Sequence, residues 1–108
     1  MMNRDMWSYN EAVEFFLEVV TENSNLYYKT NLSSLTPPTY INEGGRKYDK
    51  IANESSVYCF IEKATGNIYK PAGRKAPYTK GNNPVRGNVF EMTSYETADP
   101  YGSWLYYR

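Results

Sequence analysis

The sequence predicts an α+β fold: an N-terminal amphipathic helix packed on a small antiparallel sheet with a hairpin, assembled as a homo-oligomer. Three observations lead there. Apolar residues recur at helical spacing from Ala12 to Val20. Ser56 to Lys70 reads as two strands around a Gly-containing connection. Both faces of the stronger strand are rather apolar, which asks for cover on both sides of the sheet and suggests a second subunit.

The helix has its start written into it. Ser8 and Glu11 fit a capping box, in which the Ser hydroxyl and the Glu carboxylate each satisfy a free backbone N–H. Ala12, Val13, Phe16, Leu17 and Val20 share one stripe, with Glu11, Glu14, Glu18 and Glu22 mostly on the other side. The helix is expected from Tyr9 to Glu22, ended by Asn23, Ser24 and Asn25. Phe15 and Val19 widen the stripe, as a self-association surface or a helix packed on two sides would require.

Asn25 to Asn31 is ambiguous between a short helix and a loose strand. Pro37 and Pro38 mark Ser33 to Thr39 as a linker, because neither fits a helix interior or a sheet centre. Asn42, Glu43, Gly44 and Gly45 read as a turn. Arg46 to Ala52 is expected as the first strand and Ser56 to Glu62 as the strongest one. Gly66 takes the positive-φ position of the hairpin connection. Ile68 to Lys70 pairs back, and Pro71 ends that strand because it lacks a donor. On this register Val57, Cys59 and Ile61 share one face and Tyr58 and Phe60 the other.

Ala72 to Pro84 reads as an ordered, aperiodic loop, with Pro84 starting a short helical turn through Arg86. Glu91 to Tyr101 reads as a further loop, and Trp104 to Arg108 as a last strand with a docked end. The 108 residues thus divide as one domain: a helical part at 1–32, a linker at 33–45, and the sheet with a basic loop at 46–108.

Composition narrows the chemistry. Mean hydropathy is −0.72, and no apolar run reaches the roughly 20 residues of a membrane span. The first residues lack the apolar region of a signal peptide, so a cytosolic location is expected. Without histidine and with the single Cys59, zinc, iron–sulfur and Ser-His-Asp or Cys-His sets are excluded, and no cofactor is implied. An enzyme is not expected. Twelve tyrosines against four phenylalanines favour half-wet surfaces over a large dry core.

Charge is zero in total but unevenly spread. Residues 1–43 carry two basic against six acidic residues, and residues 44–86 carry nine basic against three acidic ones. One reading is a basic ligand site; the other is an acidic helix face and a basic sheet that attract each other, within a chain or between chains. Arg and Lys side chains bind phosphate oxygens, Asn reads base or ribose edges, and rings stack on bases. Candidate phosphate ligands are Arg46, Lys70, Arg74, Arg86 and Arg108; Asn88 is the candidate for base or ribose; Tyr69, Tyr78 and Phe90 are the candidate rings.

A family resemblance takes this further. Gly66-Asn67-Ile68-Tyr69-Lys70-Pro71-Ala72, Lys75-Ala76-Pro77 and Val85-Arg86-Gly87-Asn88 resemble the motifs of small phage proteins, the Thoeris anti-defence sponges. Gly45 to Ile51, Ser56 to Ile61 and Tyr101 to Arg108 resemble them too, so the likeness covers about Gly44 to Arg108. It implies a protein that binds and sequesters a cyclic ADP-ribose signal made by bacterial TIR proteins, without cleaving it. Some members also hold cyclic oligonucleotide signals at a separate site. It further implies a dimer or trimer of dimers acting in the cytoplasm of the infected bacterial host, with no membrane partner and no nucleic acid. Asn88 and Arg108 match positions that line the family's pocket, and Arg86 is their motif neighbour. Arg74 stands where the family has an aromatic residue, and the stretch between Pro77 and Val85 is longer, with Tyr78 as the replacement ring. The alternative is a phage module that binds single-stranded nucleic acid or polyphosphate.

Overall fold

Ser8 opens the fold as the capping box requires. Its hydroxyl accepts from the Glu11 N–H at 3.2 Å, and the Glu11 carboxylate accepts from the Ser8 N–H at 2.9 Å. In this computed structural model, which describes residues 7–54 and 56–106, helix α1 then runs Tyr9–Asn31. Ala12, Val13, Phe16 and Val20 are buried along it, as their spacing demands.

The helix does not stop at Asn23. Ser24 is buried, with its hydroxyl 3.2 Å from that of Tyr40. The Asn23 amide donates to the carbonyls of Glu96 and Ala98 at 3.0 and 2.9 Å. Residues that end helices by bonding their own backbone here bond other segments, so their stop signal is lost. Asn25 to Asn31 is therefore helix, and Leu32 ends it, donating its N–H to the Tyr28 carbonyl at 2.8 Å.

The sheet is a five-stranded antiparallel meander: β1 Ile41–Asn42, β2 Tyr48–Ala52, β3 Val57–Glu62, β4 Asn67–Tyr69 and β5 Gly87–Asn88. β1 falls in the expected linker and takes in Asn42, the first residue of the expected turn, because Ile41 and Asn42 pair with Ala52 and Ile51 at the sheet edge; Glu43 to Gly45 remain non-strand between β1 and β2. Gly66 closes the β3–β4 hairpin at φ +80°, and an added Cβ there would lie 2.9 Å from the Phe90 ring. Two separate constraints thus require glycine at this turn.

The alternation of β3 holds with one break. Register places Asp49, Ile51, Cys59, Ile61 and Ile68 on one face and Tyr48, Lys50, Phe60 and Tyr69 on the other. A bulge lies opposite Ile51 and Ala52, which pair with Cys59 and Val57 and skip Tyr58. Tyr58 therefore joins the core with Cys59 and Ile61 instead of sharing a face with Phe60. Its hydroxyl donates to the Asp99 carbonyl at 2.7 Å and accepts from the Trp104 Nε1 at 2.8 Å.

Helix α1 covers the first face. Phe16, Val20, Ile51, Cys59, Ile61, Ile68, Val89, Tyr95 and Leu105 form one core, with Phe15 and Val19 packed against it half-buried. The wide helical stripe is thus used within the chain. On the outer face, Phe60 and Tyr69 are also buried, with the Tyr48 ring edge-on to both at 6.4 and 6.0 Å.

Beyond β4 the ladder continues past Pro71. Tyr78 donates its N–H to Lys70 and Ala72 to Ala76, and Pro71 bridges Pro77, so residues 70–78 form a second small hairpin with Arg74 near its tip. Pro84 to Arg86 is not helical; the Arg86 N–H instead donates to the Ile68 carbonyl at 2.7 Å, leading into β5. The described part of the expected last strand, Trp104 to Tyr106, is not strand, and Tyr107 and Arg108 lie outside the described residues: Ser103–Leu105 is a 3-10 turn, docked by Leu105 in the core and Trp104 on Tyr58.

Candidate functional site

The outer face of the sheet gathers positive charge. Gly44, Gly45, Arg46, Lys47, Tyr48, Lys50, Phe60 and Lys75 line a hollow of about 300 Å³. A neighbouring one of about 390 Å³ shares Lys50 and Lys75 and adds Arg74, and Glu43 and Glu54 line it too. Register puts Tyr48, Lys50 and Phe60 on this face, and the β1–β2 turn delivers Arg46 and Lys47. The hairpin of residues 70–78 delivers Arg74 and Lys75, tied down where the Lys50 ammonium donates to the Arg74 carbonyl at 3.0 Å.

Arg46, Lys47, Arg74 and Lys75 are exposed. Among the described residues none of these four forms an ion pair; Lys50 lies 3.5 Å from Glu43. Backbone N–H groups, its own and that of Thr39, hold the Glu54 carboxyl below its ordinary range. It therefore stays ionised in the second of the two hollows. Such an arrangement can neutralise phosphate and offers the half-buried Tyr48 ring beside it.

The other candidates lie elsewhere. The Lys70 ammonium sits over two rings, 4.7 Å from the centroid of Tyr78 and 5.0 Å from that of Tyr106. Asn88 and Phe90 stand around the Gly66 turn. The Asn88 amide donates to the Thr65 carbonyl and the Asn67 side chain at 3.0 and 2.9 Å, and its oxygen accepts from the Phe90 N–H at 2.8 Å. A ligand at Asn88 has to share or replace one of these bonds. Arg86 is half-buried beside β5, Tyr69 is buried, and Arg108 lies outside the described residues. Of the candidate residues the structure thus brings Arg46 and Arg74 onto one face and pairs Lys70 with Tyr78.

The basic hollows also hold Lys47, Tyr48, Lys50 and Lys75, none of which is among the sequence candidates. Strand alternation carried the missing signal: Tyr48 and Lys50 are two apart in one strand and must share a face. Tyr106 was missed because it was read as strand.

One family description matches residues 3–107, a family of unknown function, DUF7717. The chain belongs to the DUF7717 family. No curated protein and no solved structure matches it. A further hollow of this DUF7717 chain, about 410 Å³, is larger than either basic hollow and lies elsewhere. Tyr28, Pro38, Tyr58, Tyr101 and Tyr106 line it with Asn53 and Ser56; among the described residues no charged side chain does, and its polar groups are neutral hydroxyls and an amide. Burial raises the Tyr58 hydroxyl well above its ordinary pKa, so this wall of the hollow stays neutral. Among the described residues of the DUF7717 chain, no group of three or more His, Cys, Asp or Glu could hold a metal ion. No described helix is long and apolar enough to cross a membrane.

Proposed function

We propose that this protein captures a small, phosphorylated, ring-containing ligand on the outer face of its sheet and holds it without chemistry. The observation that carries the reading is the set of four cations, Arg46, Lys47, Lys50 and Lys75, that share a hollow with Tyr48, with Arg74 in the adjoining one. The resemblance described above names the ligand class: a cyclic nucleotide immune signal, first a cyclic ADP-ribose isomer and second a cyclic oligonucleotide. The protein is then a phage anti-defence sponge, a homo-oligomer acting in the cytoplasm of the infected bacterial host. Sequestration asks for affinity and slow release, which fixed charges and a ring supply. Lys70 and Tyr78 lie at the base of the hairpin that presents Arg74, and they position it.

The test is calorimetric titration of the purified protein with cyclic ADP-ribose isomers and cyclic oligonucleotides, followed by recovery of the ligand after denaturation. Saturable heat and intact ligand are expected. No heat with any of them overturns the reading, and a cleaved product makes the protein an enzyme.

The two adjoining hollows share Lys50 and Lys75 and so form one basic track, which favours a second reading as a binder of single strands or polyphosphate. Binding of that kind falls steeply with salt, in proportion to the phosphates contacted. A one-ligand pocket saturates at a fixed ratio per chain.

A further inference from the structure

The outward side of α1 carries a stripe of carboxylates that no described residue neutralises. Glu11, Glu14, Glu18 and Glu22 are all exposed. Glu11 serves the capping box. Among the described residues none of the four pairs with a base. Glu14, Glu18 and Glu22 lie beyond the first turn, where the helix dipole no longer favours them. At i,i+4 spacing they repel one another. Between them, Trp7, Phe15, Glu11, Glu14 and Glu18 line a hollow of about 240 Å³, the Trp7 and Phe15 rings standing edge-to-face at 5.1 Å. Aromatic walls with carboxylates at the rim suit the stem and head of a lysine or arginine.

Suitable side chains exist on the same molecule, on its other side. The helix packs on the inner face of the sheet, whereas Arg46, Lys47, Arg74 and Lys75 stand around the outer face. The sheet lies between the two charged surfaces, so one chain cannot bring them together.

We infer that the acidic stripe of α1 docks on the basic outer face of a second copy of this chain. The contact is head-to-tail: each copy uses its helix toward one neighbour and its sheet toward the other, so association does not stop at two unless a ring closes. Arg74 and Lys75, exposed near the tip of the 70–78 hairpin, are the side chains that reach the hollow between Trp7 and Phe15. The inference rests on the placement of charge, and it gives the helix the same basic face as the proposed ligand, so the two compete for Arg74 and Lys75.

Sedimentation of the full chain across a range of concentrations tests it, at about 0.01 M and about 1 M salt, where the screening length falls from about 30 to about 3 Å. The weight-average mass is expected to grow with protein concentration at low salt and to lose that growth at high salt. The variants Glu14→Lys/Glu18→Lys and Arg74→Glu/Lys75→Glu each set like charges against each other where the helix meets the hairpin, and each alone should lose the low-salt growth. An equimolar mixture of the two variants should regain it, since the reversed helix positions of one then meet the reversed hairpin positions of the other. Recovery in the mixture also shows that both variants are folded. A mass that ignores salt in the unmodified chain, or a mixture that fails to regain growth, overturns the inference.

Discussion

The Lys50 ammonium donates a hydrogen bond to the Arg74 carbonyl oxygen at 3.0 Å, which fastens the 70–78 hairpin over the outer face of the sheet. Strand β2 thereby sets where a loop twenty-four residues later presents its guanidinium. Lys50→Met keeps the aliphatic stem and removes both the tie and a charge. The bond is exposed, so stability should fall by no more than about 1 kcal/mol. Affinity for a phosphorylated ligand should fall roughly tenfold, about 1.4 kcal/mol. Titration of the variant checks this; unchanged affinity removes Lys50 and the tie from the site.

Asn88 holds the β4–β5 corner through three side-chain hydrogen bonds, to Thr65, Asn67 and Phe90. Asn88→Ala leaves those partners short of a bond at a half-buried position, at a cost of about 2–3 kcal/mol. Urea unfolding should show a lower midpoint with an unchanged slope. A variant as stable as the parent would mean that Asn88 is dispensable to the turn and available to a ligand.

Asn23 ties α1 to residues 96 and 98, which explains why the helix passes a stretch that reads as its end. Asn23→Ala should cost about 1–2 kcal/mol, because two carbonyls lose their donor. Asn23→Asp should cost at least as much, since a carboxylate cannot donate. A melting temperature unchanged in both variants would contradict this.

Alkaline conditions should unfold the protein. Burial, with the Asp49 carboxylate accepting its hydroxyl at 2.7 Å, raises the pKa of Tyr9. Burial likewise raises Tyr58, Tyr40 and Cys59. Each is an acid whose neutral form the fold favours. Its contribution is complete below the unfolded value, about 8.5 for Cys and about 10 for Tyr, and is lost as pH rises beyond it. These groups therefore contribute no change in stability between about pH 6 and 8, and a decline from about pH 9 upward. Denaturant midpoints measured across that range check the sign; stability that rises above pH 10 would contradict it.

Local signals were readable from the residues alone. The capping box, the buried helical stripe, β3 and the Gly66 hairpin appear where spacing and residue type put them. What could not be read depends on distant partners. Asn23 and Ser24 look like a helix end until residues 96, 98 and 40 are in place. Tyr58 looks like an outer-face residue until a bulge turns it inward. Trp104 to Tyr106 has the composition of a strand, but Leu105 is taken by the core and Trp104 by Tyr58, so no edge is left to pair.

The site was half legible for the same reason. Arg46 and Arg74 were recognised by charge, but 28 positions separate them, and the sheet alone brings them near Lys50 and Lys75. Lys70, a candidate phosphate ligand, stands apart from these, with its ammonium against Tyr78 and Tyr106. Arg108 falls outside the described residues.

The central claim is that the outer face holds a phosphorylated, ring-containing ligand. Calorimetric titration of the unmodified chain and of Lys47→Ala/Lys75→Ala with the same cyclic ADP-ribose isomer tests it most directly. Saturable binding by the unmodified chain is expected, weakened roughly tenfold per removed charge in the variant, with the ligand recovered intact. Equal binding by both, or binding by neither, would contradict it.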